Sequence, residues 1–419
     1  MSRLITNIKT LVNTRDTSVL LRGGQLKDLP VIHDAYLIME EDRITDYGMM
    51  KDLKKKSSYF NDNTDAAGAI VLPTWCDSHT HIVFAGSREQ EFVDKIEGLS
   101  YEEIAAKGGG ILNSAEKLNA TLEDDLYAQA AERLREVVKL GTGAIEIKSG
   151  YGLSLEGELK MLRVIQKLKK NFPIPIKATF LGAHTIPAAF RQNREGYIQL
   201  IIDEMLPVIA REGLADFIDV FCEKGFFTPE EATKICLAGK EYGLKPKIHA
   251  NQLHVSGGVQ AGVKMNAISV DHLESMDEAA INALAVSGTI GTLLPTAAFF
   301  LRMNYQPARK LLDAGCAIAL ASDYNPGSSP SGNMNFVVAL SCIQMKLHPA
   351  EAINAATLNG AWAMELQDEV GSITRGKKAN LIFTRHVPSV EFLPYAFGSN
   401  LVDKVMINGE FVVDTEAEA

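Results

Sequence analysis

Between residues 70 and about 365 the chain repeats one pattern: a short, mainly apolar run, a loop, then a segment with apolar residues three and four apart. Eight such runs can be counted, at 70–76, 144–147, 176–181, 217–222, 246–249, 267–270, 289–294 and 317–321. A strand apolar on both faces is covered on both sides, as in a parallel sheet lying under helices. The intervening segments read as helices. In 154–171, Leu155, Leu159, Leu162, Ile165 and Leu168 keep helical spacing, and the pattern stops before Pro173. Leu122, Leu126, Leu134 and Val137 do the same up to Gly141, behind a capping-box-like start at Thr121 and Asp124. Eight strand-then-helix units predict an α/β fold, a (β/α)8 TIM barrel, with an open doubly wound sheet as runner-up.

The chain ends follow a different period. Residues 1–68 carry short β-type runs at 19–21 and 35–39, and 42–48 adds a strand after a turn, which reads as a hairpin. A Lys- and Asn-rich stretch at 51–65 leads into the barrel. From 366 to 419 short strands return, at 381–383, 405–407 and 411–413, the last behind the Asn408, Gly409 turn. The expectation is a small β-sandwich built from 1–68 and 366–419, with the barrel of 69–365 as one long insertion.

Composition narrows the class. With 419 residues, 46% of them hydrophobic, the chain can bury a large core. A net charge of -10 and the lack of a basic tract argue against nucleic acid. The N-terminal twenty residues hold polar groups throughout and no apolar run reaches membrane-span length, so export and membrane insertion are disfavoured. Five scattered cysteines without a C-x-x-C pair read as reduced core residues of a cytoplasmic protein. The triple glycine at 108–110 lacks the Gly-Lys-Ser/Thr of a phosphate loop and reads as a mobile lid or tight turn.

In a parallel barrel the chemistry lies at the carboxyl ends of the strands. His79 and His81 follow the first strand, His184 the third, His249 the fifth and His272 the sixth, while Asp323 follows the eighth. Residues i and i+2 of an extended chain point to one side, so His79 and His81 can face one point. Alone, that pair reads equally as two ligands or two hydrogen-bonded structural histidines; the set as a whole favours a site. Imidazoles with one carboxylate suit Zn or Fe and not the all-oxygen shell of Ca²⁺ or Mg²⁺. Three histidines and an aspartate leave a position for water, whose pKa such a metal lowers toward roughly 7, supplying hydroxide.

This pattern, with Pro73-Thr-Trp-Cys-Asp-Ser-His-Thr-His81, Phe84-Ala-Gly-Ser-Arg-Glu89, Ile147-Lys-Ser-Gly-Tyr-Gly-Leu153, Phe180-Leu-Gly-Ala-His-Thr185 and Ser322-Asp-Tyr-Asn-Pro-Gly-Ser-Ser-Pro330, resembles the amidohydrolase superfamily. It is closest in detail to those members that open an imidazolone ring. What the resemblance implies is hydrolysis of the lactam C–N bond of 4-imidazolone-5-propanoate to N-formimidoyl-L-glutamate, in histidine degradation. By the same resemblance His79, His81, His249 and Asp323 hold one Zn or Fe ion. Two-metal members use a carboxylated lysine near the fourth strand; here Lys224, just past that strand, reads as a solvated loop residue.

The expected partner is a small anionic heterocycle, with a homodimer left open. Its propanoate tail calls for a cation, and Arg88 can clamp a carboxylate in bidentate fashion. Tyr151, in a loop made flexible by Gly150 and Gly152, can donate a hydrogen bond. The resemblance further places His184 at the ring and Asn325, Gly327 and Ser328 at the other end of substrate or product. His272 is the candidate for polarising the carbonyl, and Asp323 for moving the proton. Some family members carry a glutamate three residues after the fifth-strand histidine; here the position is Gln252, which binds substrate but cannot take a proton at pH 7. Two rivals remain: a related deaminase acting on a heterocyclic ring, and a non-catalytic scaffold, which has no need of a full ligand set.

Overall fold

The computed structural model describes residues 2–54, 57–99, 103 and 109–414. The expected lid or turn at 108–110 therefore lies partly outside the described residues. Among the described residues sixteen strands fall into two sheets. The first takes β1 (Ser2–Val12), β2 (Val31–Glu40), β3 (Arg43–Met49), β4 (Asp62–Asp65) and β5 (Ile70–Pro73) from one end of the chain. It takes β14 (Leu381–Thr384), β15 (Val402–Ile407) and β16 (Glu410–Asp414) from the other. Their order is β16-β15-β14-β5-β1-β2-β3, with β4 also on β1. Both chain ends thus share one core, in which Ile5, Leu11 and Leu37 meet Leu381 and Met406. The run at 19–21 forms no strand, and β1, whose polar residues hid it, pairs with β2, β4 and β5.

The second sheet is parallel throughout: β6 (Trp75–Thr80), β7 (Thr142–Lys148), β8 (Ile176–Ala183), β9 (Phe217–Cys222), β10 (Lys245–Ala250), β11 (Ser269–His272), β12 (Ile290–Leu293) and β13 (Ile318–Leu320), paired in sequence order. Helices follow the strands, and Leu155–Asn171 starts where the pattern places it, with Ser154 Oγ accepting from the Gly157 amide at 3.1 Å. The (β/α)8 expectation holds. Among the described residues no helix is long and apolar enough to cross a membrane.

Two local expectations fail, each for a physical reason. The run at 70–76 is not one barrel strand. Pro73 ends β5, which pairs with β1 and β14 in the other sheet, and the chain crosses at Thr74 before β6 enters the barrel. The Thr74 amide reaches Asn380 O at 3.1 Å while the next amide, of Trp75, reaches Gly141 O at 2.9 Å. The true barrel strand holds Asp77, Ser78, His79 and Thr80, all fully buried, and polarity masked it. The capping box at Thr121 does not form either. Thr121 ends the preceding helix, Ile111–Ala120, and its hydroxyl donates back to Lys117 O at 2.7 Å. Glu123–Lys139 then starts with no side-chain cap, and Leu122 points to solvent.

Candidate active site

Strands β6 and β13, first and eighth, meet without a regular ladder. Asp323 N donates to His79 O at 3.0 Å and His81 N to Tyr324 O at 2.9 Å. Behind them the Asp77 carboxylate accepts from the amide and hydroxyl of Ser322, at 3.0 and 2.6 Å. These bonds bring three polar atoms together. His79 Nε2 and His81 Nε2 lie 3.3 Å apart, and Asp323 Oδ1 is 3.6 and 3.5 Å from them. Ligands held 2.0 to 2.1 Å from a tetrahedral ion stand about 3.3 Å apart, so this triangle fits zinc-like coordination. His249, at the end of β10, brings a ring nitrogen within 4.8 Å of both histidines, and its buried Nε2 has no hydrogen-bond partner. His272 stands equally close to His79 and Asp323.

The protonation states favour a cation in this place. Burial, with Lys148 for His79 and His184 for His81 as the next causes, holds both imidazoles well below their ordinary pKa, in the neutral form that ligates. His79 Nδ1 lies 2.6 Å from Asp271 Oδ2, which fixes the tautomer and leaves Nε2 for a metal. His249 Nδ1 lies 2.9 Å from Asp219 Oδ2, though oblique to the hydrogen-bond direction. Burial raises the Asp323 carboxyl, against the pull of His272 and His249. Burial also opposes charge on His272, but Glu274, 3.4 Å from its Nδ1, and Asp323 outweigh it and raise its pKa. Both Asp323 and His272 hold positive φ, at 53° and 87°, where non-glycine residues are uncommon and often functional.

Every residue singled out from the sequence except His79 lines one cavity of about 530 Å³ above these atoms. His79 lies beneath it, fully buried. Arg88 lines the wall, but its side-on fork is taken: Nε and Nη2 donate to Glu91 at 2.9 and 2.6 Å. Nη1 is left, packed so close to Gly327 that a Cβ there would stand 2.3 Å from it. The loop of Tyr151 is tied to one buried carboxylate. Glu158 accepts from the amides of Gly150, Gly152 and Leu153 at 3.1, 2.8 and 3.0 Å, which sets the tyrosine ring at the cavity, buried. His184 Nδ1 contacts Gly150 O at 3.1 Å, its ring stacks on His81, and burial followed by His249 lowers its pKa to about 3. Asn325 shapes the opposite rim: Oδ1 accepts from the Gly327 and Ser328 amides, both at 2.8 Å, while Ser328 Oγ donates to Asp323 Oδ2 at 3.2 Å. Gln252 is buried at the same wall, and Lys224 is exposed.

Sequence reasoning passed over the carboxylates behind the histidines, Asp219 and Asp271, and the partner of Arg88, Glu91. For Asp219 a signal existed: it is the lone charge inside the otherwise apolar strand Phe217–Cys222, where only a paired ion survives.

Comparison with known proteins places this architecture. Residues 70–412 match the model of the amidohydrolase family. The chain is 57% identical over 415 residues to the imidazolonepropionase of Flavobacterium johnsoniae, covering 98% of this chain and 100% of that protein. To the imidazolonepropionase of Christiangramia forsetii it is 55% identical over 413 residues, with the same coverage. Among solved structures, a triazine hydrolase variant superposes with a TM-score of 0.75 at 16% identity, over 99% of this chain and 95% of that one, a likeness of fold. With a family match over most of its length and full-length relatives above half identity, the chain belongs to the amidohydrolase family, among the imidazolonepropionases.

Proposed function

We propose that the protein hydrolyses the lactam C–N bond of 4-imidazolone-5-propanoate to N-formimidoyl-L-glutamate, with one zinc or iron ion per chain on His79, His81, His249 and Asp323. The observation that supports this most is the triangle of His79, His81 and Asp323 atoms at tetrahedral spacing, with a ring nitrogen of His249 close to both histidines, beneath a cavity walled by Arg88. A metal there acts as a Lewis acid and lowers the pKa of a water it binds. The chain's own groups do the rest. Asp323 Oδ2, steadied by the Ser328 hydroxyl, takes a proton from the attacking water and returns it to the leaving nitrogen. Burial raises its pKa, which suits that exchange. His272, whose pKa Glu274 and Asp323 raise against burial, donates to the carbonyl oxygen as negative charge develops there.

Arg88 Nη1 takes the propanoate, with Tyr151 and His184 at the ring and Asn325, Gly327 and Ser328 opposite. Gln252 binds through its amide and carries no proton. We place the reaction in the cytoplasm, where the buried thiols of Cys76, Cys222, Cys236 and Cys316 stay reduced.

The test offers purified protein 4-imidazolone-5-propanoate, follows loss of its ultraviolet absorbance and identifies the product by mass. A parallel panel of aminopurines and aminopyrimidines is assayed for ammonia. Ring opening without ammonia is expected. Ammonia from the panel, with the imidazolone untouched, would replace this reading with a deaminase.

A further inference from the structure

Below the histidines the barrel interior carries a layer of charge that the hydrolytic reading leaves unused. Such interiors are normally filled by branched apolar side chains. Here Glu146, Lys148, Asp219, Lys247 and Asp271 meet with no exposure at all. Burying ions is unfavourable even when they are paired, and well-packed apolar residues generally serve stability as well or better. Stability alone therefore does not account for the layer.

Its connections point upward. Lys148 Nζ donates to Glu146 Oε1 at 2.7 Å and to Asp219 Oδ2 at 2.8 Å, and lies 3.5 Å from Asp271 Oδ2. Two of those oxygens are the ones that face the histidines: Asp271 Oδ2 at His79 Nδ1 and Asp219 Oδ2 at His249 Nδ1. The second oxygen of each aspartate is held by another donor: Asp271 Oδ1 accepts from Ser269 Oγ at 2.5 Å and Asp219 Oδ1 from the His249 amide at 3.1 Å. Glu146 Oε1, the oxygen that meets Lys148, also accepts from Thr179 Oγ1 at 2.7 Å. Lys247 Nζ pairs with Glu146 Oε2 and touches neither aspartate oxygen.

We propose that Lys148 is a positioning residue of the metal centre: its ammonium fixes the two carboxylates that orient His79 and His249, and so sets metal affinity. The inference rests on the metal reading of the site. Positioning and plain charge predict opposite outcomes. Deleting an ammonium near a cation site strengthens cation binding if only the field matters. It weakens binding if the ammonium holds the carboxylates in place, since loss of such outer partners typically lowers metal affinity about 10- to 100-fold.

The test strips full-length wild type, Lys148→Met and Lys247→Met of metal. Each is titrated with Zn²⁺ against a chromophoric chelator and with Co²⁺ by visible absorption. Wild type is expected to take one equivalent. Lys148→Met should bind Zn²⁺ about 10- to 100-fold more weakly with an altered Co²⁺ band, while Lys247→Met, a deletion of equal charge in the same layer, keeps the wild-type band and binds no more weakly. If Lys148→Met does not fold, Lys148→Met/Glu146→Gln removes the same ammonium at constant net charge, with the same weakening expected. Wild-type or tighter affinity in the Lys148 variant, with an unchanged band, overturns the proposal alone. No uptake by wild type overturns the metal reading itself.

Discussion

The backbone amide of Asp323 donates to the carbonyl of His79 at 3.0 Å, so the contact that closes the barrel also assembles the metal-site atoms. Asp77 anchors that seam through Ser322. Asp77→Ala leaves a buried amide and a buried hydroxyl without their acceptor, at a cost of about 3 kcal/mol. Urea denaturation should register that loss, and metal uptake should weaken with it. A variant of wild-type stability would mean that the seam is held elsewhere.

Gly327 is small because Arg88 lies against it. In Gly327→Ala the new Cβ would stand 2.3 Å from Arg88 Nη1, so the guanidinium must move. The expected outcome is a rise in KM with metal content unchanged, read by steady-state kinetics beside metal analysis. An unaltered KM would show that Arg88 does not touch the substrate.

Arg88→Ala should lower kcat/KM for the propanoate substrate by about 10- to 100-fold, the worth of one charge-assisted bond to a carboxylate. Glu91→Gln tests the other side of the pair. It keeps the size of the group that engages Arg88 and the Gly110 amide, but withdraws the charge that steadies the guanidinium. A smaller loss is expected there, in KM rather than kcat.

What could be read in advance follows from what the pattern of polarity encodes. The barrel was legible because most of its strands are mainly apolar and alternate with helical periods, and the ligand set because histidines gathered at strand ends. The first strand was misplaced because β6 buries Asp77, Ser78 and Thr80, which look like a loop until Ser322 is seen to satisfy Asp77 and the neighbouring strand Thr80. The positive φ of Asp323 and His272, and Glu91 closing the fork of Arg88, are properties of tertiary contact that no local pattern carries.

Removing the metal should loosen the site more than the fold. His79, His81, His249 and Asp323 then face one another without the charge that brings them together, while the seam and the two cores persist. Adding zinc back at a hundredfold excess over its Kd should raise stability by about 2.7 kcal/mol. Calorimetry with and without chelator measures this, and identical melting curves would argue against a metal in the native state.

Lys377, far from the cavity, sets an alkaline signature. Its ammonium is buried and donates to Ser18 Oγ, Val370 O and Ser372 Oγ at 3.2, 2.9 and 2.8 Å. Burial lowers its pKa from 10.5 to about 8. Between those values the unfolded chain holds a proton that the folded protein has released, so this group makes stability rise with pH across the window. Below about pH 8 it is charged in both states and the burial penalty, of order 3 kcal/mol, stands in full. Lys377→Met removes the titration together with the three hydrogen bonds. The stability of wild type minus that of the variant should therefore climb between pH 8 and 10.5 and stay level between pH 6 and 7, with urea denaturation at each pH as the measurement. Parallel curves over the whole range would mean that Lys377 keeps an ordinary pKa in the folded protein.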